Sequence, residues 1–123
     1  VVMDAFHAQL VAGFPPALTV LGSVISRHGQ RIILDSGRKT IGSELGLPQL
    51  KGITATTNAI AEEHLLVDVE PDSPLKVGDK VEVISGYGPT TVNLHEVYYV
   101  IENDRVTDIW PVHVRGAGLG PYC

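Results

Sequence analysis

The sequence predicts a mainly β domain, a small antiparallel barrel or sandwich of six to eight short strands with little helix. The run Lys80–Ile84 alternates charged and apolar residues, as a strand with one face on a core does. Two β-rich runs at 96–102 and 105–110 flank Asn103-Asp104, which is typical of a hairpin. The 13 glycines and 8 prolines supply turn residues between short apolar runs.

Composition limits the class of protein. A chain of 123 residues is long enough for one domain with a single core, and 44% hydrophobic with 19% charged residues argues against disorder. The net charge of −5 disfavours nucleic acid or an anionic membrane as a partner, because both attract positive surfaces. The single cysteine, Cys123, leaves no internal disulfide. We therefore expect a cytoplasmic protein with neither partner.

The first third of the chain predicts a strand pair. Residues 4–14 read as one or two helical turns or a loop, which Pro15-Pro16 ends. Ala17–Arg27 is β-branched and apolar, and predicts a long strand with a bend at Gly22. Arg31–Leu34 returns as its partner. Because the chain begins at Val1 inside an apolar run, we expect a piece of a larger polypeptide.

The middle of the chain is less regular. Residues 35–40 predict a tight turn, with the alternative that Arg38 or Lys39 reaches an anion. The stretch 41–61 lacks sustained periodicity and predicts a long loop with room for one short helical turn. A strand follows at 65–69, preceded by Glu62-Glu63-His64, where His64 is either satisfied by hydrogen bonds or functional.

The segment Ser85–His95 is the first candidate for a functional site. Two glycines and a proline within five residues exclude a regular strand, so we predict a loop held by the sheet. Loops on a rigid scaffold concentrate binding and catalytic groups. The alternative is a hairpin end with ordinary polar side chains. The loop carries a phenol, two hydroxyls, an amide and an imidazole, from Tyr87, Thr90, Thr91, Asn93 and His95.

Five separated blocks resemble one family. They occur in the order 32–40 (IILDSGRKT), 62–64 (EEH), 75–84 (LKVGDKVEVI), 91–95 (TVNLH) and 108–116 (DIWPVHVRG). This order is similar to the C-terminal β-domain of the D-serine dehydratase and D-threonine aldolase family. These pyridoxal phosphate enzymes are fold-type III relatives of alanine racemase.

The resemblance implies a domain of a two-domain enzyme acting on D-amino acids, with β-hydroxy-D-amino acids as the expected substrates. A (β/α)8 barrel, absent here, would carry the cofactor lysine, and the β-domain would complete the active site, often across a homodimer. Lys39 does not match that lysine, so the isolated chain is predicted to be inactive. The predicted division is 1–16 as a connecting segment, 17–116 as the β-domain and 117–123 as a tail.

The chain departs from the family at the metal site. Metal-dependent members carry a His-x-Cys or His-x-Asp pair just before the block that ends in Asn-Leu. The corresponding positions are Tyr87 and Pro89. Proline has no ligating side chain and a neutral phenol is a poor ligand, so a divalent metal is doubtful and we predict none.

Three functional hypotheses follow. In the first, Tyr87 acts as acid or base with the help of a neighbouring cation or of the cofactor's field, because a free phenol with a pKa of about 10 is a weak base at neutral pH. In the second, the metal moves to His64 or His95 with Glu63 or Glu96 as its acidic neighbour. In the third, the chain is a non-catalytic barrel for binding or assembly. The predicted catalytic residues are Tyr87, His95 and His64, and the predicted substrate-binding residues are Thr90, Thr91 and Asn93.

Overall fold

A computed structural model describes residues 2–113 and 115. This part of the chain contains eight strands and two short helices. In chain order they are α1 (His7–Leu10), β1 (Val20–His28), β2 (Arg31–Leu34), β3 (Gln49–Leu50), β4 (Ala55–Ile60), β5 (Leu65–Val69), β6 (Lys80–Ile84), α2 (Gly88–Asn93), β7 (Val97–Glu102) and β8 (Arg105–Pro111). Neither helix is long and apolar enough to cross a membrane, as judged over the described residues. The mainly β prediction is confirmed.

Six strands form a nearly closed antiparallel barrel. Their order is β3-β6-β1-β2-β5-β4, and every neighbouring pair runs antiparallel. The two end strands come into contact, and the Thr57 hydroxyl donates a 2.6 Å hydrogen bond to the carbonyl of Pro48 across that gap. Closure leaves few unpaired backbone groups at the sheet edges.

Strand β1 serves both halves of the barrel. Val20–Ser23 pairs with β6, and Val24–His28 pairs with β2. The irregularity lies between Val24 and Ser26 rather than at Gly22, where the sequence predicted the bend. Gly22 meets a different need, because a Cβ there would lie 2.7 Å from the Ser36 hydroxyl.

The predicted loop at 41–61 is wrong, because this stretch contains β3 and β4. Strand β4 consists of small and polar residues, and only Ile60 in it is buried. A bulge between Thr57 and Ala59 also breaks its alternation. Strand periodicity is visible in a sequence only where one face buries apolar side chains, so this strand gave no signal.

The barrel interior holds one apolar cluster. Ile32, Leu34, Leu65 and Val67 alternate along β2 and β5 and are fully buried. Val24, Ile41, Leu50, Ile60, Val69, Val81 and Val83 complete the cluster. This packing holds the strand ends from which the candidate site extends.

The second sheet is the hairpin β7–β8, which confirms the predicted strand pair. Asn103 and Asp104 both have positive φ, 51° and 60°, as a two-residue turn between twisted strands requires. Pro111 is the last residue of β8. Val112 donates its N–H to the Glu96 carbonyl without extending the strand. Residue 114, the end of the predicted domain at 116 and the 117–123 tail lie outside the described residues.

Truncating the core should destabilise the barrel far more than truncating its surface. Leu34→Ala removes a side chain that is 0% exposed and should lower the free energy of unfolding by about 2–5 kcal/mol. Leu21→Ala, on the neighbouring strand at 65% exposure, should cost less than about 1 kcal/mol. Urea unfolding followed by circular dichroism measures both. Equal losses would contradict the interior assigned here.

Candidate functional site

The segment after β6 contains a short helix where the sequence predicted only a loop. Helix α2 spans Gly88–Asn93, with Tyr87 as its N-cap residue and Pro89 in its first turn. Proline suits this position because its fixed φ matches the helix and its missing N–H is not needed there. The helix was not predicted because several of the residues that follow Pro89 are β-branched, and such residues favour strands over helices.

Helix α2 is fixed to the barrel through the 40–46 segment. Gly42 accepts a 3.0 Å hydrogen bond from Tyr87 N and donates a 2.9 Å bond to the Thr91 hydroxyl. That hydroxyl in turn donates to the Tyr87 carbonyl at 2.7 Å. Thr91 is only 2% exposed, so its oxygen joins two backbone segments in the interior.

Glycines allow this close approach. A Cβ on Gly86 would lie 1.8 Å from the Gly46 carbonyl oxygen, and one on Gly42 would lie 2.0 Å from the Thr90 hydroxyl. The first contact is with backbone and cannot be relieved by a side-chain rotation. The glycines of this loop are therefore needed for packing between the two segments.

Asp4 joins the N-terminal segment to α2. Its carboxylate is buried, 1% exposed, and accepts 2.7 Å hydrogen bonds from the backbone N–H groups of His7 and Gly88. Beside it, Ala5 N donates to the Ser85 carbonyl at 2.9 Å. Residues 3–5 are therefore packed against the end of β6 and the start of α2.

His7 completes this arrangement. Its Nδ1 lies 2.9 Å from both carboxylate oxygens of Asp4. A carboxylate only accepts hydrogen bonds, so Nδ1 carries a proton and the neutral ring keeps its lone pair on Nε2. The His7 ring stacks on the Tyr87 ring, with centroids 6.0 Å apart and planes at 24°. Asp4, His7 and Tyr87 thus form one connected group, which we call the dyad-phenol cluster.

A cavity of about 530 Å³ opens beside this cluster. Its polar walls are Asp4 and His7, and the other lining residues are apolar or glycine. They are Val2, Met3, Val11, Phe14, Gly88, Pro89 and Val92. A largely apolar cavity with a few convergent polar groups is the usual form of a small-molecule site.

The charge state of Asp4 follows from its partners. Burial by itself would raise the pKa of Asp4, but the hydrogen bonds from His7 N, Gly88 N and the His7 ring outweigh burial and lower it. Asp4 is therefore ionised at neutral pH and holds a negative charge next to the imidazole.

The other predicted site residues lie apart from the cavity. His95 is half-buried and its Nε2 donates to the Thr40 carbonyl at 2.8 Å. His64 is exposed in the turn before β5, with no side-chain hydrogen bond to a described residue. The Thr90 hydroxyl donates to Glu44 at 2.7 Å, and Asn93 is exposed at the end of α2. Neither these residues nor Thr91 line the cavity.

The acidic neighbours required by a relocated metal are already paired. Glu63 forms an ion pair with Lys39, and Glu96 lies 2.9 Å from Arg115. Over the described residues, no three His, Cys, Asp or Glu side chains are grouped closely enough to hold a metal ion. The Lys39 pair also places that cation in a solvated turn, as the simpler interpretation of residues 35–40 predicts.

Pyridoxal phosphate does not fit the described cavity, because the cofactor needs a lysine for covalent attachment. The four lysines of the chain are all exposed, and none lines the cavity. They are Lys39, Lys51, Lys76 and Lys80. Any cofactor that works with this chain would be held by other residues.

Asp4 and His7 were missed by the sequence analysis, which treated 1–16 as a connecting segment. A signal was present in the spacing Asp-x-x-His, which lets a carboxylate accept from the backbone and ring of the residue three positions on. Its significance depends on Gly88, 84 residues away, which no local pattern indicates.

Comparison with known proteins identifies the family. Residues 17–101 match the family described as "Putative serine dehydratase domain". The chain belongs to this family. The resemblance seen in the sequence is therefore confirmed, and the serine dehydratase-like domain covers all six barrel strands, α2 and all but the last residue of β7.

Two aldolases are among the similar proteins. The domain is 34% identical over 104 residues to the 3-hydroxy-D-aspartate aldolase of Paracoccus denitrificans, covering 83% of this chain and 27% of that protein. It is 35% identical over 106 residues to the D-threonine aldolase of an Arthrobacter species, covering 84% and 28%. The chain thus spans about a quarter of these relatives.

A solved structure and a shorter relative extend the comparison. The D-threonine aldolase of Filomicrobium marinum superposes with a TM-score of 0.83 at 25% identity, covering 90% of this chain and 33% of that one. An uncharacterised protein of Mycobacterium tuberculosis is 34% identical over 112 residues, covering 81% of this chain and 84% of its own length. The domain therefore occurs both in long aldolases and in a much shorter protein.

Replacing the buried carboxylate should weaken the fold in a pH-dependent way. Because the pKa of Asp4 is lowered by folding, its stabilising effect is present above the unfolded value of about 3.9 and is lost as pH falls through the folded pKa. Asp4→Asn should cost about 2 kcal/mol at pH 7, with a smaller deficit at pH 2–3. Thermal unfolding between pH 2 and 7 measures this.

The matched control is Asp72→Asn in an exposed turn. It should leave the difference in stability from the unmodified chain close to zero at every pH. A deficit for Asp4→Asn that stayed constant down to pH 2 would show that the carboxylate charge is not what stabilises this contact.

Proposed function

We propose that this chain is the C-terminal β-domain of a pyridoxal phosphate-dependent enzyme that acts on β-hydroxy-D-amino acids. The reaction type we propose is that of a lyase, aldolase or dehydratase, with a racemase as the related alternative. The proposal is supported by the family membership and by the two aldolase relatives. An N-terminal (β/α)8 barrel and a homodimeric assembly are parts of the same proposal.

The observation that carries the proposal is the position of Tyr87. By the sequence resemblance it occupies the place where the family pattern has the first metal ligand, and its ring stacks on that of His7. His7 lines the cavity, whereas Tyr87 is not among the lining residues. A phenol needs a neighbouring cation or the field of the cofactor to exchange protons near neutral pH. The imidazole of His7, once protonated, is such a cation.

This chain would provide the substrate side of the active site. Pyridoxal phosphate, bound by the barrel domain, would supply the electron sink for cleavage next to the amino group. The cavity beside His7 would hold the remainder of the substrate and exclude water through its apolar walls. Tyr87 would hold or release a proton at the substrate oxygen, in the absence of the metal that other members use.

The hairpin offers a surface for assembly. Cross-strand pairing places Tyr99, Ile101, Val106 and Ile109 on one face of β7–β8, and each is more than half exposed. Exposed apolar patches of this kind mark contact surfaces. We propose that this face is covered in the complete enzyme, by the barrel domain or by the second subunit.

A second candidate function is a non-catalytic binding or assembly module. It is favoured by the mycobacterial relative, because the domain spans 84% of that protein. A protein of that size has little room for a barrel domain. The two functions differ in whether a cofactor-bearing domain accompanies this chain.

The test uses the complete enzyme expressed from the parent reading frame with pyridoxal phosphate. We expect turnover of at least one of D-threonine, D-serine and 3-hydroxy-D-aspartate, and we expect that turnover to survive exhaustive chelation. Tyr87→Phe should lower kcat by about 10²-fold or more, because it removes the phenol and keeps the ring. Asp72→Asn, in an exposed turn outside the proposed site and the hairpin, is the control and should leave kcat unchanged.

The outcomes separate the hypotheses. Activity lost on chelation and restored by manganese or zinc would support a relocated metal instead of Tyr87. Absence of turnover with every substrate would contradict the enzymatic proposal and favour the binding module.

The isolated chain should not form a covalent adduct with the cofactor. Its lysines are exposed and none lines the cavity, so none is placed to react selectively. After mixing with pyridoxal phosphate and dialysis, we expect no absorbance band of a lysine-bound cofactor. A band that persists at one cofactor per chain would contradict the assignment of the cofactor to another domain.

A further inference from the structure

We infer that His7, oriented by Asp4, is the base that removes the proton from the substrate hydroxyl. This inference rests on the proposed function and assigns a role to a residue that neither the family pattern nor the sequence analysis singled out. It follows from the geometry of the dyad-phenol cluster.

The tautomer of His7 is set by its contacts with Asp4. Two 2.9 Å contacts to Asp4 require a proton on Nδ1 of the ring. The basic lone pair of the neutral ring is therefore on Nε2. No described residue forms a hydrogen bond with Nε2, and the side chain is 43% exposed. An imidazole that is fixed at one nitrogen and free at the other can accept a proton from a ligand.

The ring of His7 is held in a fixed position by its neighbours. Asp4 is itself held by the backbone N–H of Gly88 at 2.7 Å, so the dyad is tied to the barrel through α2. Tyr87 stacks on one side of the His7 ring, and Phe6 meets it edge-on with centroids 5.2 Å apart and planes at 80°. Such preorganisation reduces the reorientation needed before proton transfer.

Asp4 and His7 both lie in the wall of the cavity. Asp4 and His7 are the only charged or titratable residues among those that line the cavity in the described chain. The titratable groups that face His7 are Asp4 on its own segment and Tyr87 at the start of α2. A hydroxyl bound in this cavity therefore meets the imidazole as its available base.

The proton transfer is simple to write. The O–H bond of the substrate hydroxyl breaks, its electron pair stays on oxygen, and the proton forms an N–H bond at Nε2 of His7. The resulting imidazolium is stabilised by the Asp4 carboxylate. The proton then returns to product or passes to water on the exposed side of the ring.

One part of the test does not depend on activity. Long-range proton–nitrogen NMR spectra of this chain should show neutral His7 as the Nδ1–H tautomer. Asp4→Asn should shift the ring towards a mixture of tautomers, because an amide can donate as well as accept. A neutral His7 protonated on Nε2 in the unmodified chain would overturn the inference.

The second part uses the complete enzyme with its cofactor. His7→Asn keeps a donor towards Asp4 but removes the ring base, and should lower kcat by about 10²-fold or more. It should also abolish the acidic limb of the kcat/KM pH profile, which Tyr87→Phe should leave in place. His7→Ala should recover part of its activity on addition of imidazole. His28→Gln, in the exposed β1–β2 turn, is the matched control and should behave as wild type.

The failures are distinguishable. If the unmodified complete enzyme turns over none of the substrates, the proposed function and this inference both fall. If it is active and His7→Asn stays within about threefold with an unchanged pH profile, His7 is not the base, while the proposed function stands.

Discussion

The candidate site depends on one buried carboxylate. Asp4 is 1% exposed and ionised, and a buried charge without partners would be strongly destabilising. Its oxygens are satisfied by Gly88 N, His7 N and the His7 ring, which belong to two segments far apart in sequence. The same contacts that neutralise the cost of burial fix the start of α2, the tautomer of His7 and two walls of the cavity.

The barrel provides rigidity for a site built outside it. Thr91 and Gly42 connect α2 to the 40–46 segment, and Gly86 allows the backbones to approach closely. In this arrangement Thr91 has a structural role, because both its hydrogen bonds go to backbone atoms in the interior. His7 and Tyr87, the side chains proposed to exchange protons, lie at the margin of the packed region. A rigid scaffold with reactive groups at its edge is the usual division in enzymes.

The proposed replacement of the family's metal ligands by Tyr87 and Pro89 agrees with the contacts at these two positions. Pro89 lines the cavity as an apolar wall, while Tyr87 presents a ring to His7. A metal acts as a fixed positive charge that needs no proton, whereas an imidazole acquires positive charge by taking one. The Asp4–His7 pair would therefore perform in a pH-dependent manner what a metal performs over a wider pH range.

The sequence by itself determined the mainly β class, the hairpin with its Asn103-Asp104 turn, the strands with buried alternating faces and the family. These features depend on hydrophobic periodicity and turn residues, which can be recognised from residues that are close together in the sequence. The proposal of Tyr87 as a site residue also came from the sequence, through the family pattern, and it stays a prediction. Only the tertiary structure decided that β4 is a strand, that Thr91 and His95 bond to backbone, and that Asp4 and His7 adjoin Tyr87. The physical reason is distance along the chain, because the backbone N–H that holds Asp4 in place belongs to Gly88, 84 residues away.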